Sequence, residues 1–477
     1  MAEAELVARY RAALEWRRVL EPVWQACYRY ALPPAYGMPA PFDATAADAA
    51  EQLAASLLAE LTPPWSRWFG LVPARGAAED DPALAGRLED AAATLQAHFD
   101  RSNFAIEMHQ AFLDLVVAGT GVLLVEEAPV GEASAFRFTA VPIRTAVLEE
   151  GPDGRLTTLY RESRLSAAAI AARWPQATLP DAVARAALAA DAAPLPVLEA
   201  LWPEPPGFAH TALLLGDPDR PAHLGRGRFA DSPCIAFRWL KVPGETYGRG
   251  PVMKALPDIR TADKVVELVL QNASIAVTGI WQAEDDGVLN PLTVKLTPGA
   301  IIPKAAGSSG LTPLQPAGNF DVSQLVLTDL RQRIRSALLA DRLVPPTPSG
   351  AMTATEVLDR SAHAMRLLGA TYGRLQSELL TPLVTRCLGI LRRRGEIPPL
   401  VEGGREVALR YESPLARVQA RADAANTLLF LQSVASLGGA AAAQVDAAAA
   451  TRWLARTLGA PAEVLVPATP ASTGVTA

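Results

Sequence analysis

The sequence predicts a mainly helical α+β fold, and three observations carry that reading. Apolar residues recur at three- and four-residue steps near both ends of the chain, a period-two pattern takes over after Phe136, and proline pairs mark the boundaries. The 477 residues are half apolar, enough to bury one large core or several smaller ones.

Residues 4–30 place Leu6, Tyr10, Ala13, Leu14, Arg17, Leu20, Trp24 and Tyr28 at helical steps, which predicts one amphipathic helix ended by Pro33-Pro34. A second helix is expected over about 44–61, with Asp43 and Thr45 as capping residues and Leu53, Leu57, Leu58 and Leu61 as its apolar stripe. Pro63-Pro64 stops it. A third helix spans roughly 82–100, and a fourth carries Phe104, Met108, Phe112, Leu115 and Val116 into Gly119. Val122 to Val125 then reads as a strand. From Phe136 to Glu162 the period is two, and Pro152-Asp153-Gly154 supplies turn residues for a hairpin. Ser166 can cap a short helix through Trp174, and strands are expected at 198–202, 210–215 and 234–240.

Pro251 stands where proline is tolerated, in the first turn of a helix running to about 275. Residues 276–318 then lose helical periodicity. Pro291, Pro298, Pro303, Pro313 and Pro316 lie among short β-branched runs, which predicts a small β-rich insertion. Asp321 with Gln324 forms a capping-box signature ahead of a helix to about 340, and Pro345, Pro346 and Pro348 then force an extended loop. Thr353-Ala354-Thr355-Glu356 is a second capping box, from which helical periodicity continues to about Arg394. Such a helix would be on the order of 60 Å long. Pro382 should kink it, and Arg392, Arg393 and Arg394 suit its negative end. A strand at Glu406–Tyr411, helices from about Leu415 and over 445–458, and a disordered Ala/Pro/Thr/Ser tail complete the chain.

Composition narrows the function classes. With 44 basic and 50 acidic residues the formal charge is −6, so nucleic acid is not gripped over a wide basic face. Cys27, Cys234 and Cys387 are odd in number and far apart, which fits a reducing compartment without a disulfide framework or zinc site. The N-terminus lacks the apolar core of a signal peptide, and the apolar run Leu115–Val125 is too short and interrupted to span a bilayer. No membrane association is expected. Gly119-Thr120-Gly121 lacks the Gly-Lys-Ser/Thr that completes a phosphate loop. His98, His109, His210, His223 and His363 never fall at metal-ligand spacing, and Ser308-Ser309-Gly310 lacks the frame of a nucleophile elbow. Glu126-Glu127, Glu149-Glu150 and Asp285-Asp286 read as solvated turn charges rather than a two-metal nuclease. Catalytic, cofactor and metal sites are all expected to be absent.

The order helix, β-rich insertion, helix, proline loop, very long kinked helix suits the wall of a tube better than a packed monomer. It resembles the portal, or head-to-tail connector, proteins of tailed phages, and the local sequence is similar to the connectors of short-tailed, T7-like phages. The resemblance covers about residues 4–400. It is carried by Phe42-Asp43-Ala44-Thr45 through Trp68-Phe69, Ser102-Asn103-Phe104, Leu115–Gly119 into Val122-Leu123-Leu124, Gly244–Gly250, and Ser349–Val357 followed by Leu379–Val384.

What the resemblance implies is a phage portal fold assembled as a dodecameric homo-oligomeric ring at one capsid vertex of the virion. Its partners would be terminase, the major capsid and scaffolding proteins, a tail adaptor, and double-stranded DNA held loosely in the channel. By that analogy 1–248 form a wing, 251–275 and 322–340 the stem, 276–318 the clip, 341–352 the tunnel loop, 353–395 the long helix, and 396–477 a return strand, crown-like helices and tail. Arg331 and Arg335 lie four apart on one helix face and Arg342 opens the loop, so these are the candidates for loose phosphate contact. With them go the loop residues Val344, Pro345, Pro346, Thr347, Pro348, Ser349 and Gly350. The other reading pairs Asp329 with Arg333 and leaves the rest as a solvated or intersubunit face. Lys295 and Lys304 are candidates for meeting the motor or tail, or are plain surface charge. The alternatives to a portal are another ring adaptor or internal core protein of the virion, and an enzyme of the packaging machinery.

Overall fold

The computed structural model describes residues 3–34, 37–64, 66–72, 82–189, 193–215, 221–278, 281–283, 311–313, 320–340, 369, 371–398, 408–411, 414–437 and 444–458. Pro22 decides how the chain begins. Instead of one helix over 4–30 there are two, α1 (Glu3–Arg18) and α2 (Glu21–Ala31), with Pro22 in the first turn of the second. A proline there has no N–H to give and its ring crowds the carbonyl four residues back, so the helix stops and restarts.

Four further helices follow the expected pattern: α3 (Thr45–Leu61), α4 (Pro82–Asp100), α5 (Phe104–Ala118) and, after several strands, α6 (Ala167–Arg173). Ser166 caps α6 by accepting a hydrogen bond from the Ala169 N–H at 3.3 Å. A short helix α7 (Asp181–Leu188) was not expected. Helix α5 ends on Gly119 in the left-handed region, φ 80°, whose N–H closes on the Leu115 carbonyl at 3.0 Å.

The strands form separate sheets. Strands β2 (Thr120–Glu127), β3 (Phe136–Ala140) and β9 (Cys234–Arg238) make a three-stranded sheet with β2 central. Strands β4 (Ala146–Glu150), β5 (Leu156–Leu165), β6 (Leu195–Glu204), β7 (Gly207–Leu214) and β8 (Ala222–Phe229) form an antiparallel meander. The hairpin predicted over 136–162 is therefore β4–β5 alone, with Val147 opposite Tyr160, while β3 belongs to the other sheet. Both faces of the meander are covered, as period-two side chains require. Leu198 is buried in one cluster with Leu6, Val7 and Tyr10 of α1, and its neighbour Val197 in another with Ile170 of α6.

Strand β1 (Phe69–Val72) pairs with β12 (Ala408–Tyr411) across the length of the chain, Phe69 opposite Tyr411. Within 276–318 the described residues form one antiparallel pair, β10 (Trp281–Ala283) and β11 (Leu311–Pro313). Helices α8 (Pro251–Thr278) and α9 (Phe320–Ala337) flank that pair. Helix α9 begins at Phe320, so Asp321 lies inside it and not at its cap.

Helical structure is present at 369 and over 371–375, passes through a π-turn at Gln376–Leu380 and continues as α10 (Thr381–Arg394). The expected disturbance at Pro382 takes the form of this widened turn, in which the Thr381 N–H donates to the Gln376 carbonyl. Gly395, φ 74°, ends α10, with the Glu396 N–H returning to the Leu391 carbonyl at 3.0 Å. Helices α11 (Pro414–Ser436) and α12 (Ala447–Leu458) close the described chain. One apolar core draws on α2 to α5, β2, β3, β9, α8, α9, the π-turn and α10.

Candidate functional site

The apolar stripes of α8 and α9 are buried at only one end. On α8 the buried apolar residues are Val252, Ala255, Leu256, Ile259 and Ala262, and on α9 they are Leu330 and Ile334, with Leu338 just past its end. Beyond these Leu327 still packs against the core, and the pair then leaves the body, with Leu268 47% and Leu325 73% exposed. From Asp263 to Thr278 the projecting part of α8 is about 24 Å long. Among the described residues it is a helical hairpin, rooted at one end and exposed toward the other.

Two devices fix the root. The first is a clamp between both helices and the segment ahead of α3. Asp263 on α8 accepts the backbone N–H groups of Phe42 at 2.6 Å and Asp43 at 3.2 Å. The Asp43 carboxylate accepts from the Thr45 N–H at 2.9 Å and from Arg331 Nε on α9 at 2.8 Å. Burial pushes the Asp43 carboxyl up, but the bonds from Thr45 and Arg331 outweigh it and hold it below the usual carboxylate range. Between the helices themselves, Arg333 reaches Asp258 at 3.0 Å.

The second device is a crossing of glycines. A Cβ on Gly119 would stand 2.4 Å from the Gly250 nitrogen and 2.5 Å from the Gly248 oxygen. The Gly248 N–H donates to Thr120 Oγ1 at 2.8 Å, and the Trp239 N–H donates to the Gly119 carbonyl at 3.0 Å. Gly119-Thr120-Gly121 is thus no fragment of a phosphate loop: it receives the backbone that opens α8. Side chains larger than hydrogen do not fit there.

Arg238 stands beside the crossing and is completely buried. Its guanidinium donates to Glu378 Oε1 at 2.7 Å and Oε2 at 3.3 Å, Glu150 Oε2 at 2.8 Å, the Thr246 carbonyl at 3.1 Å and the Gly154 carbonyl at 2.7 Å. Burial alone would lower its pKa; Glu378 and Glu150 reverse that and raise it. Sequence reasoning passed over this residue. Its signal was an arginine inside the apolar run Cys234–Trp239, where periodicity gives no reason for a charge.

The candidate contacts are distributed unevenly. Arg331 is taken up by Asp43, whereas Arg335 is exposed and has no ion-pair partner among the described residues. Arg342, Val344 to Gly350, Lys295, Lys304 and the second capping box at Thr353 lie outside the described residues. Among the described residues no group of His, Cys, Asp or Glu could hold a metal ion, and no helix is long and apolar enough to cross a membrane. All three cysteines are free thiols, and burial raises Cys27 and Cys234 to about 12.

The chain is similar to known proteins over most of its length. The probable portal protein of Bordetella phage BPP-1 is 25% identical over 454 residues, spanning 89% of this chain and 80% of that protein. The portal proteins of Enterobacteria phage T3 and Escherichia phage T7 are 26% and 25% identical over 169 residues, spanning 35% of this chain and 31% of each of theirs. Residues 3–465 match the family described as bacteriophage head to tail connecting protein. A mixed helix-and-sheet body with a rooted, projecting helical hairpin, joined to a family match of this extent, makes the chain a member of the bacteriophage head to tail connecting protein family, a structural portal of the head–tail junction and not an enzyme.

Proposed function

We propose that the chain is the repeating unit of a closed, dodecameric ring at the capsid vertex, through which double-stranded DNA is packaged and later ejected. The observation that carries this reading is the α8–α9 hairpin, which is rooted in the core and then leaves it with Leu268, Leu270, Leu325 and Val326 exposed. A monomer gains nothing from apolar residues held away from its body, whereas a neighbouring hairpin in a ring can cover them.

In this reading 1–248 form the wing, α8 and α9 the stem, 276–318 the clip, 341–352 the tunnel loop, and 353–395 the long helix leading to a crown-like C-terminal part. Terminase and a tail adaptor dock in turn, Lys295 and Lys304 of the clip meeting them, and the major capsid and scaffolding proteins surround the wing. A net charge of −6 suits a conduit, because a strongly basic channel would hold the duplex rather than let it slide. The phosphate contact on α9 falls first to Arg335, since Arg331 is committed to Asp43. Arg342 and the loop residues Val344 to Gly350 complete the channel-facing set.

Negative-stain microscopy and native mass of the purified full chain test the ring. Closed rings with a central opening are expected, and a discrete monomer under all conditions would overturn the proposal. Deleting Pro345 to Gly350 should leave rings intact while reducing DNA packaging or retention; normal packaging would remove the loop from the mechanism.

A further inference from the structure

We infer that Arg238 is a positioning residue that joins the π-turn at Gln376–Leu380 to the root of α8, so that the two open and close as one mechanical unit. The π-turn carries Glu378 inward, where its side chain is 7% exposed. There it accepts the Arg238 backbone N–H at 3.0 Å in addition to the two guanidinium bonds, and Arg374 Nη1 approaches it at 3.3 Å from one turn earlier. An α-helix holds one residue fewer in that turn, and removing it would swing the preceding segment by about 100° about the helix axis. Glu378 is thus presented to Arg238 in the register that the wide turn sets.

The remaining donors of the same guanidinium hold the other side of the joint. They take the Thr246 carbonyl, in the loop that leads into the glycine crossing, and Glu150 with the Gly154 carbonyl, in the β4–β5 hairpin. Lys241 adds a second cation on Glu150. The π-turn, the β4–β5 hairpin and the loop at Thr246 therefore meet on one buried side chain. Breaking a buried pair on one side leaves an uncompensated charge, so neither piece can move alone without strong cost. Lysine could not replace arginine here, because it lacks the planar fork that reaches several acceptors at once. The mechanical meaning rests on the reading of α8 as the stem; the joint itself does not.

Native-state hydrogen exchange on the full chain in increasing, sub-denaturing urea tests this. Amides of 240–250 and 376–381 are expected to exchange through one opening, with the same protection and the same urea dependence. Distinct openings would overturn the inference. A second arm uses the double variant R238M/E378M, which replaces the pair by apolar volume and is expected to fold. In it both segments should lose protection about tenfold or more together, while the β5–β8 meander keeps its own. Unchanged protection in the folded double variant, or loss spread evenly over the chain, would equally overturn it. Neither arm uses DNA or reads ring closure, so failure here and failure of the ring proposal are distinguishable.

Discussion

Gly119→Ala should destabilise the protein by about 2–5 kcal/mol, and the structure separates the causes. The residue has φ 80°, and an L side chain in that region costs about 1–2 kcal/mol. The added methyl would also stand 2.4 to 2.6 Å from backbone atoms of Gly248, Arg249 and Gly250, which cannot rotate away. Forced overpacking of that kind adds about 1–3 kcal/mol. Gly37 provides the control, because it has φ 81° but a methyl added there would meet nothing within 4 Å. Gly37→Ala should therefore lose only the conformational part. Equilibrium denaturation in urea, followed by tryptophan fluorescence, compares the two variants with the parent chain. Equal losses, within about 0.5 kcal/mol, would refute the argument that the glycine crossing is a steric requirement of the α8 root.

Other expectations follow from the same root. Asp43→Asn should cost about 1–3 kcal/mol at neutral pH, since it removes the charged partner of Arg331. The folded-state pKa of Asp43 lies below its ordinary 3.8, so its contribution is present above that value and lost as pH falls through the lower, folded one. Acid titration of stability should accordingly be shallower below about pH 4 in the asparagine variant, and an identical profile would show that the clamp is not electrostatic. Ile334→Ala should cost about 2–4 kcal/mol by opening a cavity where α9 enters the core, measurable as a shift in thermal midpoint. Arg335→Glu should leave folding and ring assembly unchanged and reduce packaged DNA, whereas Arg331→Ala should show its effect in stability. Packaging at the parental level in Arg335→Glu would take that residue out of the channel.

The helices around the hairpin were legible in the sequence because their signals are local. Pro251 opens α8, Gly119 ends α5, and the apolar steps Leu330 and Ile334 of α9 are buried together with Leu338 just past its end. The break between α1 and α2 was equally local and lies at Pro22, yet the single helix read over 4–30 passed over it. What escaped detection depends on partners distant in the chain. Strand β1 is four residues long and exists through β12, more than three hundred residues later. Strand β8, with Gly225 and Gly227 among Arg226 and Arg228, has little strand propensity of its own and is held by β7. Arg331 and Arg335 look equivalent by spacing; only the arrival of Asp43 from another part of the chain distinguishes them. Arg238 carries no periodic signal because its acceptors come from three separate segments.

The half-buried hairpin has a consequence for exchange between relatives. On the root side of Ala262 and Leu327 the apolar side chains that α8 and α9 bury must match a fixed core, whereas beyond them the described apolar side chains are half-buried or exposed. The hairpin from 263 to 326 is thus expected to behave as a cassette, transferable between connectors, provided the seams fall there and the Asp263 clamp travels with it. Seams placed one turn nearer the root would cut through Ile259 and Leu330, and the chimera would lose the core of its recipient along with the segment it replaced.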